Sequence, residues 1–455
     1  MAGFKQHENW SSRFTFLMAA VGAAVGLGNI WKFPYVTGQN GGGAFVLVYL
    51  LAVAFVALPI LIAEIMLGRA GKQSPPNAMR LIAARQGRSR LWSLIGWFGM
   101  LAAFMIGTYY SVIAGWSVAY IFKNGAGTFI GQDSARVSAE FSTLLASPGQ
   151  LIFWLLVFMI CCTAILVRGL HKGIERAVKF MMPLLFLLLL AMVGYGFVEG
   201  DMAGAWHFMF DFDFSAINGR VVLVAVGQAF FSIGVAMGLM MGYGAYLGNE
   251  VSIGRSAVLI CLFDTAVAIV AGLAIFPIVF ANGLDPAEGP GLIFVSLPIA
   301  FGNVPGGHLF GTLFFILLFF AALTSVIGVL EPMIAWWEER FAMRRWVAAV
   351  MVCLTLSVLA LGTVFSYNLW SEWRPLAFIG RFGEFGYFEI LDYLTANLMM
   401  PVGGLLLALF VGWRLEPATV RGELNMQRDG FFRAWYWLLR WVAPVSIVLI
   451  LFNNL

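Results

Sequence analysis

The stretch Gly22-Ala23-Ala24-Val25-Gly26-Leu27-Gly28-Asn29, followed by Lys32-Phe33-Pro34, decides how the chain is read. It lies inside an apolar run, about 13–36, long enough to cross a bilayer, which takes roughly 20 residues. Glycine inside a helix weakens it by about 1 kcal/mol each. Asn29 and Lys32 add polar groups at a depth where they are expensive. A helix with this sequence is expected to break. A second apolar run, about 219–247, has the same character, with Gly227, Gly234, Gly238, Gly242 and Gly244 beside Gln228 and Ser232. Tight packing through small residues explains either run alone. Two of them, five segments apart in corresponding positions of two halves, point instead to an inverted repeat. Its broken helices would hold a solute near the bilayer midplane.

The rest of the chain supplies that bilayer context. Of 455 residues, 61% are hydrophobic and 11% charged, against about 25% charged in soluble domains. A soluble fold could not hide this much apolar surface, so lipid is the expected solvent. Eleven apolar segments can be read, at about 13–36, 42–68, 91–122, 150–167, 177–198, 219–247, 256–282, 307–337, 346–364, 391–413 and 434–452. The expectation is an all-α polytopic membrane protein forming one transmembrane domain over 1–455. Its halves fall at about 10–200 and 217–414, with an extra helix at about 432–453. No cleavable signal peptide is expected ahead of the first segment.

Charge placement gives orientation and removes other functions. Arg69, Lys72, Arg80, Arg85, Arg88 and Arg90 share a side with Arg168, Lys172, Arg340, Arg344, Arg345, Arg414, Arg421 and Arg428, whereas the opposite loops hold Glu199, Asp201, Asp211 and Asp213. The positive-inside rule puts the N-terminus in the cytoplasm and, with an odd helix count, the C-terminus outside a cell (inner or plasma) membrane. The net charge of +4 is too small to support nucleic-acid binding. Cys161, Cys162, Cys261 and Cys353 all sit in apolar segments, away from any disulfide or metal-ligand spacing. No GxxxxGK[ST], HExxH or GxSxG is present, which argues against ATP drive and against an enzyme.

Polar residues inside the apolar segments are the candidates for function: Asn29, Glu64, Tyr110, Gln228, Ser232, Asp264, Thr324 and Ser325. A desolvated monovalent cation needs several oxygen ligands, which freed carbonyls of an unwound helix and such side chains can supply. Each residue has an ordinary alternative. Thr324 and Ser325 can bond back to their own helix carbonyls, and Glu64 can hold backbone groups of a broken helix. Asp264 is hardest to explain so, because an unpaired buried carboxylate would take a proton. A proton carrier would use that protonation, and a sodium carrier would keep the group ionised.

In these residues the chain resembles the neurotransmitter:sodium symporter family, whose bacterial amino-acid carriers have a LeuT-type fold. The matching set is Gly22 to Asn29, Lys32-Phe33-Pro34, Asn40-Gly41-Gly42-Gly43-Ala44-Phe45, Glu64, Gly68-Arg69, Gln228-Ala229-Phe230-Phe231-Ser232, Ala321-Ala322-Leu323-Thr324-Ser325 and Pro332. It spans nearly the whole chain. The resemblance implies eleven helices with the first and sixth unwound, and two co-transported sodium ions. One ion would be held by Ala24 (carbonyl), Asn29, Ser232, Asp264 and the substrate carboxylate. The other would be held by carbonyls of Gly22, Val25 and Ala321 with Thr324 and Ser325. The substrate would lie among Ala24, Gly26, Ile106, Tyr110, Phe231, Ser232, Gly234, Met237, Ser325 and Val329. Tyr110 would fix its carboxylate. Gly26 stands where amine-transporting members carry an aspartate, which implies an amino acid bringing its own carboxylate. The apolar wall implies a neutral, hydrophobic one.

The resemblance also implies gates: Lys32 with Asp392 outside, and Trp10, Tyr246 and Glu339 inside, where His7 or Lys5 would replace the usual arginine. Gly173 and Pro183 match a Gly-x9-Pro segment that unwinds on inward opening. Chloride independence is expected, with Asp264 supplying a fixed negative charge and Ala268 offering no hydroxyl, although Tyr49 and Gln228 remain from the anion cage. The competing readings are a proton-coupled carrier of the same fold and a membrane receptor that binds without transporting.

Overall fold

A computed structural model of the chain describes residues 9–287, 291–304, 306–426 and 429–454. His7 and Lys5 lie outside the described residues. Among the described residues every regular element is helical. Nine helices among the described residues are long and apolar enough to span a membrane: α3 (Gly43–Gly71), α4 (Arg90–Gly125), α5 (Pro148–Leu166), α6 (Leu170–Glu199), α9 (Ile253–Ala281), α10 (Gly307–Phe341), α11 (Arg345–Ser366), α12 (Tyr387–Arg414) and α13 (Asp429–Phe452). A tenth crossing is bent by 48° between α1 (Arg13–Ala24) and α2 (Gly28–Gln39). The sixth segment is split into α7 (Gly219–Ile233) and α8 (Leu239–Ala245), each too short to span alone. The two predicted breaks are therefore both present.

Local chemistry sets the helix starts. Ser12, Asn218 and Ser252 each accept a backbone N–H in the first turn of α1, α7 and α9, which satisfies donors that have no partner within the helix. The main departure from expectation is α6, which starts at Leu170 rather than near 177. Its first turn, Leu170–Glu175, is wound more loosely than an α-helix and includes Gly173. Glu175 is buried there, and both its carboxylate oxygens serve Ser11, one from the backbone N–H at 2.8 Å and one from the hydroxyl at 2.7 Å. Charge at 171–176 hid this turn from a search for apolar runs. Short helices Pro75–Arg85, Ser134–Ala146 and Met202–Phe210 cap the ends of the bundle.

Position follows burial. In α10 78% of the most apolar stretch is buried inside the protein, against 28% in α13, so α10 is central and α13 peripheral. α10 packs most extensively on α4 and also lies along α1. Large apolar side chains are exposed on α5, α6 and α11, including Ile160, Leu187 and Leu354. That is the composition of a surface facing lipid rather than water. The four cysteines are free, and all but Cys161 are buried.

Candidate functional site

Both breaks lie at the centre of the bundle and face each other. α1 ends at Ala24, and Val25 turns to an extended conformation before α2 begins at Gly28. The gap is closed by side chains from other helices. The Leu27 N–H donates to the Tyr110 hydroxyl at 2.7 Å, the Ser325 hydroxyl donates to the Val25 carbonyl at 3.2 Å, and the Gln228 amide donates to the Gly28 carbonyl at 2.8 Å. Gly26 itself packs so closely that a Cβ there would collide with the hydroxyls of Tyr110 and Ser325.

The second break is built differently. Gly234, Ala236 and Gly238 all take left-handed backbone conformations, at φ of 70°, 66° and 72°. This alternation turns backbone N–H groups inward as an anion-binding nest. The fully buried Glu64 of α3 occupies it, accepting the Ala236 N–H at 2.8 Å. Glu64 therefore holds broken-helix backbone, the ordinary alternative stated for it above. Ala236 carries a Cβ in a conformation that disfavours one by about 1–2 kcal/mol. Nothing in the sequence marked it.

Between the breaks, Asn29, Ser232 and Asp264 are buried and mutually bonded. The Asn29 amide donates to Asp264 Oδ1 at 2.9 Å, to the Asp264 carbonyl at 3.0 Å and to Ser232 Oγ at 2.9 Å. Ser232 donates to Asp264 Oδ2 at 2.7 Å, and Tyr49 donates to Ser232 at 3.2 Å. The Asn29 oxygen accepts the Gly26 N–H at 3.1 Å. Three residues from three separate stretches of sequence thus form one polar cluster, and Ser232 also faces the central cavity.

That cavity is lined by nine of the ten residues named above for the substrate: Ala24, Ile106, Tyr110, Phe231, Ser232, Gly234, Met237, Ser325 and Val329. Gly26 lies behind Tyr110 and Ser325 instead. Ala23, Gly28, Gly107, Leu239 and Val326 complete the lining and were not anticipated. The residues named for the second ion meet at the end of α1. The Thr324 hydroxyl bonds the Phe320 and Ala321 carbonyls of its own helix, at 3.0 and 3.1 Å. Gly22 lies beside it.

The Lys32–Asp392 pair is formed: Lys32 Nζ is 3.5 Å from Asp392 Oδ1 and 4.2 Å above the Phe231 ring, which lines the cavity. Tyr109 also reaches Asp392, at 3.3 Å. At the other gate named above, Trp10 donates to the carbonyls of Tyr243 and Tyr246, both at 3.0 Å. Tyr246 donates to Glu331 Oε1 at 2.8 Å, and Glu331 is ion-paired with Arg345. Glu339, named above beside Trp10 and Tyr246, accepts from the Ser74 N–H at 2.7 Å, the Ser74 hydroxyl and the Asn77 amide at 2.6 Å. The Glu331–Arg345 pair went unread, although an acid inside an apolar segment is itself a signal.

An all-helical bundle with two facing unwound helices, a closed polar cluster and an apolar cavity between them defines a LeuT-type secondary transporter. The sequence profile of the sodium:neurotransmitter symporter family matches residues 7–130 and 134–455, and the chain belongs to that family. It is 36% identical over 452 residues to an uncharacterized sodium-dependent transporter, YhdH, of Bacillus subtilis, covering 98% of this chain and 97% of that one. It is 34% identical to another of Haemophilus influenzae, covering 99% of each. The crystal structure of MhsT in complex with L-phenylalanine superposes with a TM-score of 0.91, at 36% identity, over 99% of this chain and 100% of that one. The protein is a multi-pass, sodium-dependent transporter of a small molecule and not an enzyme.

Proposed function

We propose that the protein imports a neutral, hydrophobic L-amino acid together with two sodium ions, without needing chloride, from outside to the cytoplasm that holds its N-terminus. The observation that carries this reading is the buried Asn29–Ser232–Asp264 cluster opening onto a cavity whose other wall is apolar. A sodium ion there requires Asn29 to rotate its amide, so that its oxygen and the Asp264 carboxylate face the cation. The ion then takes the place of the amide hydrogens as the carboxylate's partner. α1 ends beside this cluster, and the dipole at its C-terminal end would favour a cation. A substrate carboxylate at the Tyr110 hydroxyl would add a further ligand, so that solute and ion each complete the other's site.

The second ion would sit between Gly22, Val25 and Ala321 carbonyls and the hydroxyls of Thr324 and Ser325. With α1 and α10 each supplying oxygens, occupancy would hold the bundle closed inside. Release would follow unwinding of α6 at Gly173, with the halves at about 10–200 and 217–414 rocking about the breaks. The side-chain wall of Ile106, Phe231, Met237 and Val329 offers no cation for an acidic solute. The L-phenylalanine bound to MhsT is a solute of the proposed kind. Competition for uptake into sodium-loaded-outside proteoliposomes tests the reading. Leucine, phenylalanine or tryptophan should compete, and competition by glutamate or lysine alone would reject it.

A further inference from the structure

A second cavity lies away from the central one, between α5 and the start of α6, on the face that carries the basic loops. It is open, about 310 Å³, and among its lining residues are Ile165, Arg168, Lys172, Gly173, Arg176 and Phe180. Three of these are exposed cations. No ion pair among the described residues uses them, although His171 and Lys179 in the same stretch pair with Glu175 at 3.2 and 3.8 Å. Like charges gathered around one hollow repel unless an anion sits among them.

What kind of anion fits is set by the rest of the wall. The cavity passes from the cations to Ile165 and Phe180, and Phe180 is 65% exposed. From there an exposed apolar stripe continues along α6 through Leu187, Leu190 and Phe197, spacings that keep to one side of a helix. A soluble anion needs only the cations. A phosphate attached to acyl chains needs both the cations and the stripe, in this order, at the level of a membrane interface where basic pockets collect anionic headgroups.

We propose that this cavity binds the phosphate headgroup of an anionic phospholipid, with its chains laid along α6. Arg168 precedes and Arg176 follows the loosely wound turn Leu170–Glu175, so a headgroup held by both braces that turn. The binding step stands apart from the transport reading, because it involves neither sodium nor solute.

The test is direct lipid binding. The whole protein in phosphatidylcholine vesicles is titrated with spin-labelled phosphatidylglycerol, and the motionally restricted fraction is read against labelled phosphatidylcholine. Wild type should prefer phosphatidylglycerol. Arg168→Gln, Lys172→Gln and Arg176→Gln should each weaken that preference about fivefold. The triple substitution Arg80→Gln, Arg90→Gln, Arg344→Gln removes three charges from the same face outside the cavity, more than any of the single cavity variants, and should still leave the preference within about twofold of wild type. Equal loss in that control would overturn the site, since attraction would then be diffuse. Displacement of the labelled lipid by inorganic phosphate at matched concentration would overturn the lipid assignment. If a neutral variant fails to fold, Arg176→Lys against Arg176→Ala decides, with retention by lysine and loss by alanine expected, and no difference contradicting the site.

Discussion

Gly26 is constrained from two sides. By the resemblance it stands where amine-transporting members carry an aspartate, and it packs against the hydroxyls of Tyr110 and Ser325. Gly26→Ala is therefore expected to weaken solute binding by about 1–3 kcal/mol, roughly tenfold in affinity. Binding of labelled substrate to purified protein checks this, and wild-type affinity would show that the neighbouring hydroxyls move aside freely. Thr324 makes the opposite case. Its hydroxyl bonds only its own helix carbonyls at 3.0 and 3.1 Å, a contact a helix can lose cheaply. Thr324→Ala should leave the melting temperature close to wild type while raising the sodium concentration for half-maximal uptake several-fold. An unchanged sodium dependence would remove Thr324 from the ion path. The polar residues of the central cluster were legible because each is expensive in an apolar segment. Their grouping came from the resemblance, which puts Asn29, Ser232 and Asp264 around one ion; the direct hydrogen bonds among them were not legible, since these depend on side-chain geometry that only the fold sets. Glu331 was passed over because its partner, Arg345, reads as part of a cytoplasmic basic loop.

The two broken helices were legible as elements, and their construction was not. Glycine density gives the location of a break, but no periodicity says which residues adopt left-handed backbone. At α7 and α8 the alternation of Gly234, Ala236 and Gly238 makes a nest, and Glu64 of α3 fills it. Leaving a buried backbone N–H without its acceptor costs about 1–3 kcal/mol. Glu64→Ala should lower the melting temperature clearly, and Glu64→Gln less, because an amide oxygen still accepts. Both should keep transport dependent on sodium rather than on pH. Thermal unfolding of the purified variants measures the first expectation. Loss of all proton sensitivity in uptake by Glu64→Gln, with stability intact, would instead make Glu64 a proton carrier. The start of α6 shows the limit of hydropathy in another way. Its first turn is charged and loosely wound, so only the Gly173-to-Pro183 spacing drew attention to it.

At the scale of the whole molecule, segment count and family were readable because membrane insertion imposes long apolar runs and because the matching residues extend from Gly22 to Pro332. The additional short helices carry weaker patterns and were not read. The polar cluster also makes a prediction about ions. Asp264 is buried and bonded to Ser232, which Tyr49 also reaches; as the fixed anion of the proposed sodium site it would repel a second anion about 4 Å away by about 4 kcal/mol at an effective dielectric near 20. Uptake should therefore be unchanged when gluconate replaces chloride at constant sodium. The paired substitution Asp264→Asn with Ala268→Ser should create a chloride requirement. A several-fold loss in gluconate for the wild type would mean that Asp264 does not stand in for the anion.

Sodium coupling tests the account most directly. The protein is reconstituted into proteoliposomes, and uptake of labelled L-phenylalanine is followed under an inward sodium gradient with and without an inside-negative potential. Two sodium ions moving with a neutral zwitterion carry two charges, each contributing about 2.3 kcal/mol at 100 mV. The account predicts uptake that disappears when choline or potassium replaces sodium and that accelerates when the inside is made negative. Uptake that persists in choline, or that ignores the potential, would contradict it.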